Sequence, residues 1–185
     1  MTGLWVASHV ALWAFCIFVT LLVIGLYRQV GELSISPARR AAMAEGLQIG
    51  DDAPTFDLTD YEGRRVTFPN GSGRSVVVFG EAGCPPCNTL AGQLNGIGDL
   101  VHVFFVSGDG IEENKRFAAE HKASYPILND PTSETSKAYK VKSTPFIYVI
   151  DEGGTIRAKG ITNSADGVRE LVSEGFGKSA SNGGR

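Results

Sequence analysis

The chain predicts an α/β domain, a central mixed sheet flanked by helices, preceded by one apolar N-terminal helix. Three observations carry this. Ser75-Val76-Val77-Val78-Phe79-Gly80 is a continuous apolar run of strand length, which requires apolar neighbours on both faces. Segments with strand and helix character alternate after it, the pattern of parallel strands joined by crossover helices. No charged residue occurs from Leu4 to Tyr27, enough chain to span a bilayer as a helix, which takes ~20 residues.

Taken in order, residues 4–27 predict a membrane anchor, with Trp5 and Tyr27 near its ends where amphipathic rings prefer to lie. A cleaved signal peptide would want a basic start and a shorter apolar core, and Met1-Thr2-Gly3 has no Lys or Arg. Residues 28–50 read as a tether interrupted by Ser34, Ser36 and Pro37, and the domain is expected over 51–175. Thr55–Thr59 alternates as a short strand, Glu62-Gly63 turns, and Arg65–Phe68 supplies a hairpin partner. After the central strand comes a helix to about Asn95, then a strand over Leu100–Val106 and a helix over Ile111–Lys122. Tyr125–Leu128 predicts a short strand, and Pro131–Tyr139 a helix that Asp130 or Thr132 can cap. Phe146–Ile150 and Thr155–Ala158 form a closing hairpin, Ala165–Glu174 a last helix, and 176–185 a disordered tail.

Composition narrows the function classes. A net charge of −3 with no long basic run argues against a nucleic-acid partner. Three cysteines are too few for a disulfide scaffold, and Cys16 lies in the apolar segment, where it serves as a small filler. That leaves Cys84-Pro85-Pro86-Cys87, set where the buried strand ends and a helix begins. Thiols three residues apart on one helical turn can close a disulfide with little backbone movement. This is the layout of a redox switch.

Cys84 precedes the helix, where free N–H groups and the positive dipole end favour a thiolate, so it is the expected nucleophile. Cys87 lies one turn inside and is expected to resolve the mixed disulfide. Neither Pro85 nor Pro86 has an N–H, so of the next three residues only Cys87 can donate its backbone N–H to the Cys84 sulfur. Fewer donors leave the thiolate less stabilised, and the pair is expected to be tuned toward reduction or isomerisation. Thr144-Pro145 opens a strand at a place where an X–Pro bond can be cis and where an extended client segment could pair with the Thr144 backbone. Pro85 and Pro86 would flank that client. Glu81, three residues before Cys84, is a candidate half-buried proton acceptor for Cys87. His9, His102 and His121 are read as structural, since none is near the cysteines in sequence.

On these motifs the chain resembles the thioredoxin superfamily: a C-x-x-C after an apolar strand, Thr-Pro before a later one, and an extra strand–helix unit near Val101–Lys122. It is similar in particular to the methylamine-dehydrogenase maturation accessory (MauD-type) family. The likeness includes the uncharged span running into Arg28-Gln29-Val30-Gly31, the stretch Gly50-Asp51-Asp52-Ala53-Pro54-Thr55-Phe56, and Ile156-Arg157-Ala158-Lys159-Gly160. The resemblance implies a membrane-tethered protein thiol-disulfide oxidoreductase with Cys84 and Cys87 as redox pair and Pro145 as cis-proline. It implies a cysteine-containing client protein, an upstream thiol-disulfide electron donor, no cofactor and no metal. It also implies an extracytoplasmic, periplasmic domain. Arg28, Arg39 and Arg40 after the span point the other way under the positive-inside rule. Gly83 stands where many thioredoxins carry Trp, and no Lys or Asp in the early strand matches their buried proton-transfer residue.

Two other functions use the same residues. A thiol peroxidase fits Asp51-Asp52-Ala53-Pro54, which resembles a peroxiredoxin start, but that site wants Pro and Thr at fixed positions where Gly80-Glu81-Ala82-Gly83 stands. A copper metallochaperone could hold a soft metal through two thiolates, though structural zinc would need four ligands.

Overall fold

A computed structural model of the protein describes residues 3, 9, 12–23, 44–69, 71 and 73–177. The chain divides into two units, 1–37 and 38–185. In the first, residues 12–23 are helical and exposed along their length, and Thr20 Oγ1 donates to the Cys16 carbonyl at 2.8 Å. Among the described residues no helix is long and apolar enough to cross a membrane. Much of the expected span 4–27, most of the tether and residues 178–185 lie outside the described residues.

The second unit carries a seven-stranded sheet in the order β2-β1-β5-β4-β3-β6-β7. Its strands are β1 (Phe56–Asp60), β2 (Arg65–Phe68), β3 (Ser75–Gly80), β4 (His102–Ser107), β5 (Ile127–Asn129), β6 (Phe146–Ile150) and β7 (Ile156–Gly160). The helices are α1 (Pro85–Leu94), α2 (Ile111–His121), α3 (Glu134–Ala138) and α4 (Ala165–Phe176). Strands β3, β4 and β5 run parallel, while β1–β2, β1–β5, β3–β6 and β6–β7 are antiparallel. The mixed sheet expected from the sequence is therefore present. The strand–helix unit read near 101–122 is β4–α2, and it is central, since β4 lies between β3 and β5.

β3 is buried at every residue, and its side chains alternate between two cores. Val76 and Val78 pack with Leu90, Leu94, Phe117, Val168 and Val172 from α1, α2 and α4. Val77 and Phe79 face an aromatic core of Phe56, Phe68, Phe104, Tyr139, Phe146 and Tyr148, closed in part by Leu47. Fully burying one such side chain contributes about 1.5–3 kcal/mol, so both faces supply a substantial driving force.

Several boundaries move. α3 begins only at Glu134, because Asp130 is buried under it and accepts the Thr135 N–H (3.3 Å) and Ser136 N–H (3.0 Å). α4 continues through Phe176, whose ring lies under the Arg74 guanidinium at 4.5 Å, so Phe176 belongs to the domain rather than to the tail. The far end of the expected tether is also part of the fold. Leu47 is buried, its N–H donates to the Tyr148 hydroxyl (2.9 Å), and Gly50 N–H donates to Ile156 O (2.8 Å).

Candidate functional site

Where β3 ends, the chain must leave the sheet tightly. A side chain at Gly80 would meet the Phe105 ring at 2.5 Å, so glycine is what lets β3 close against β4 there. Glu81, Ala82 and Gly83 then carry the chain over the sheet's end to Cys84, the N-cap of α1, with extended backbone (φ −97°, ψ 107°). Pro85 and Pro86 occupy the first helical positions, where a missing N–H costs nothing to the helix.

The two cysteines form a disulfide with a Cα–Cα separation of 5.2 Å. Cys87 is fully buried beside Leu90 and Ala91, whereas Cys84 is half-buried and flanked by exposed Gly83, Pro85 and Pro86. Cys84 is thus the more accessible of the pair, with Cys87 behind it in the core. Cys87 N–H donates to Cys84 Sγ at 3.2 Å, the one donor that the two prolines leave in the first turn.

Around this turn is a hydrogen-bond network. The Asp109 carboxylate, on the loop after β4, accepts the Ala82 N–H (2.6 Å) and the Ser107 hydroxyl (3.0 Å). Asn88, one residue past Cys87, donates its amide to Ala82 O (2.8 Å) and Cys84 O (3.1 Å). Its remaining oxygen lies 2.9 Å from His121 Nε2, which must therefore carry the proton of that bond. The His121 ring is also packed edge-on against Phe117, with centroids 4.6 Å apart.

Thr144-Pro145 lies at the same end of the sheet. The antiparallel register pairs Phe79 with Phe146, so the residues just before β6 sit beside the chain leaving β3. The Thr144–Pro145 bond is cis, as expected, and Pro145 is buried with Thr144 half-buried. A second cis bond, Phe68–Pro69, was not expected from the sequence.

The loop before Thr144 is held from far away. Glu45 accepts the N–H of Lys142, the N–H of Ser143 (2.7 Å) and the Ser143 hydroxyl (2.8 Å). Lys159 Nζ donates to the Glu45 carbonyl at 2.7 Å. Burial lowers the Lys159 pKa, against the opposing charges of Asp51 and Glu45. Burial also pushes the Tyr148 hydroxyl up to about 12, so it remains protonated and donates to Tyr139 O (2.7 Å) while accepting from Leu47.

Of the sequence candidates, Cys84, Cys87, Pro85, Pro86, Thr144 and Pro145 gather at one end of the sheet. Glu81 does not fulfil the half-buried placement expected of it: its side chain is exposed, because the chain there runs over the sheet's end. The carboxylate bound to the loop is that of Asp109. His102 is exposed at the start of β4, and His9 is exposed in the first unit. His121, read as remote, reaches Asn88 through folding alone. Asp109, Asn88, His121 and Glu45 carried no motif that would have found them.

Residues 49–159 match the AhpC/TSA family. The methylamine utilization protein MauD of Paracoccus denitrificans is 33% identical over 179 residues, covering 93% of this chain and 89% of that protein. The chain belongs to the AhpC/TSA family and is MauD-like over nearly its whole length. The thiol-disulfide oxidoreductase ResA of Bacillus thuringiensis is 27% identical over 119 residues, 60% of this chain and 69% of that one. Among solved structures, a DsbE-type thiol:disulfide interchange protein of Chlorobium tepidum superposes with a TM-score of 0.63 at 24% identity, covering 69% of this chain and 95% of that one. That likeness establishes the thioredoxin-like fold. With a half-exposed disulfide at a helix N-terminus on this fold, the chain is a thiol-disulfide oxidoreductase.

Proposed function

We propose that the protein is a membrane-tethered, extracytoplasmic reductase or isomerase of protein disulfides, serving maturation of a secreted redox enzyme such as methylamine dehydrogenase. The observation that carries the redox reading is the asymmetric pair: Cys84 half-exposed, Cys87 fully buried behind it. The methylamine link draws on the name of the MauD relative, which this chain matches over 93% of its length. The tether draws on the uncharged stretch from Leu4 to Tyr27, and the extracytoplasmic location on the MauD-type resemblance. The single N–H donor on the Cys84 sulfur supports reduction or isomerisation over strong oxidation.

In the reducing direction an upstream dithiol first opens the Cys84–Cys87 disulfide. The Cys84 thiolate attacks a client disulfide, forming a Cys84–client S–S bond as the client S–S bond breaks and one client thiolate leaves. Cys87 loses its proton and attacks Cys84 Sγ, restoring the internal disulfide and releasing the second client thiolate. Two electrons have passed to the client. Thr144, Pro85 and Pro86 border the path of an extended client segment, and Pro145 fixes the start of β6 beside it.

The thiol peroxidase reading is weaker, since Gly80-Glu81-Ala82-Gly83 precedes Cys84 where a peroxidase wants Pro and Thr.

Trapping tests the assignment. C87A should accumulate a mixed disulfide between Cys84 and a client, visible as a reducible higher-mass species, while C84A should neither trap nor reduce insulin. Full disulfide reductase activity in C84A would overturn the roles given to the two cysteines.

A further inference from the structure

The mechanism above uses the Thr144–Pro145 platform but does not say what holds it still. The loop before it, Lys142-Ser143, presents two backbone N–H groups and a hydroxyl, and all three are taken by one carboxylate, Glu45. Glu45 is not a neighbour in the chain. It lies 98 residues before Ser143, in the strap through which the polypeptide enters the domain.

That strap is itself fastened at two points. Lys159 Nζ holds the Glu45 carbonyl at 2.7 Å, and the Tyr148 hydroxyl holds the Leu47 N–H at 2.9 Å. Between them Gly46 adopts φ +76°, and a Cβ there would fall 2.0 Å from the Tyr148 oxygen. Only glycine lets the strap lie this close to β6. Tyr148 and Lys159 are paired across β6 and β7, so the strap is bolted to the hairpin that carries the platform.

We propose that Glu45 is a positioning residue for client recognition: its carboxylate clamps the Lys142-Ser143 turn and thereby fixes the Thr144–Pro145 platform that an extended client pairs with. This rests on the oxidoreductase reading. Glu45 touches neither sulfur, so it acts on the docking of a polypeptide and not on the electron chemistry of the pair. A charge-assisted clamp is shorter and stronger than a neutral one, which suits a turn that must keep one shape while clients come and go.

The test compares full-length wild type with E45A, E45Q and G46A on insulin, on oxidised glutathione, and in the equilibrium potential of the cysteine pair. E45A should raise KM for insulin about tenfold, with kcat, glutathione turnover and potential within about twofold, the scale of losing charge-assisted hydrogen bonds. E45Q keeps an acceptor oxygen for the two N–H groups and should stay within about threefold of wild type on the same scale. G46A should follow E45A, since it lifts the strap without touching the carboxylate. An unchanged insulin KM in E45A, or equal losses on insulin and glutathione, overturns the proposal. Hydrogen exchange at the Lys142 and Ser143 amides reads the clamp itself. It should be about tenfold faster in E45A, and unchanged exchange also overturns it. If wild type reduces neither disulfide, the oxidoreductase reading falls, and the client role of Glu45 with it, whatever the exchange rates.

Discussion

The loop before Cys84 and the loop before Pro145 meet at one end of the sheet, yet they are held in opposite ways. The Cys84 loop is secured mostly by its own neighbourhood: Cys84 N–H to Glu81 O (3.2 Å), Cys87 N–H to Cys84 Sγ (3.2 Å), and Asn88 to Ala82 O and Cys84 O. Its long-range supports are Asp109, which takes the Ala82 N–H from 27 residues on, and His121, which holds Asn88 from 33 residues on. The Pro145 loop is secured by Glu45, across 97 and 98 residues. The reacting side of the site is thus held mostly by bonds within a few residues of chain. The recognising side depends on a strap from the other end of the domain.

The sharpest way to break this contrast is to remove a long-range support on the local side. Asp109 holds the Ala82 N–H, so D109A should loosen the approach to Cys84 and lower turnover on insulin and on oxidised glutathione alike, by about tenfold or more. Equal losses on both substrates distinguish this from E45A. If D109A left glutathione turnover intact, the Cys84 loop would be self-sufficient and the contrast stronger than drawn here.

A smaller effect tests the first turn of α1. Cys84 as N-cap can receive N–H bonds from the second and third helical residues, Pro86 and Cys87, and Pro86 has no N–H to give. P86A should restore that donor. One added charge-assisted bond should make the Cys84 thiol about tenfold more acidic and the pair about 30 mV more oxidising. Titration of thiolate absorbance in the reduced protein reads the first, equilibration with a glutathione buffer the second. An unchanged acidity would show that the prolines do not set the redox poise.

How much of this was legible in the sequence follows the same division. The buried β3, the C-x-x-C at its end, the helix behind it and the Thr-Pro before β6 are all written in runs of a few residues, and each stands where its pattern puts it. The single N–H donor on Cys84 was legible too, because proline chemistry is local. Glu81 was misplaced for the same reason: nearness in sequence stood in for nearness in space, and the turn after Gly80 carries its side chain outward. Asp109 and His121 lay in segments whose pattern gave only a loop and a helix end. Their partners are fixed by how β4 and α2 pack beside β3 and α1, which no window of sequence contains. Glu45 was the least visible, lying in a stretch whose Ser and Pro content reads as linker while its end is built into the domain.

Three strands across the sheet from β3, on β1, a third acidic group supplies a control for both loops. Asp60 is buried at the β1–β2 turn, where it accepts the N–H groups of Glu62 (2.9 Å) and Arg64 (2.8 Å) and the Arg64 guanidinium (2.7 Å). Burial alone would raise its pKa, but the Arg64 side chain, the two N–H groups and the Arg64 charge together hold it below the ordinary carboxylate value. A carboxylate depressed in the folded state stabilises the fold above its unfolded pKa of about 3.9, and that stability is lost as pH falls through the lower folded value. D60N should therefore cost about 1–2 kcal/mol at neutral pH and flatten the acid limb of the unfolding curve. Asp57, held low by Arg65, and Asp151, held low against its burial by the Thr155 and Gly153 N–H groups and Arg157, keep that limb from vanishing. Because Asp60 touches neither loop of the site, D60N should leave insulin KM, glutathione turnover and the potential of the pair unchanged wherever the protein is folded. A shift in any of them would mean that β1 and the site are coupled across the sheet and that the separation of chemistry from recognition drawn above is too clean.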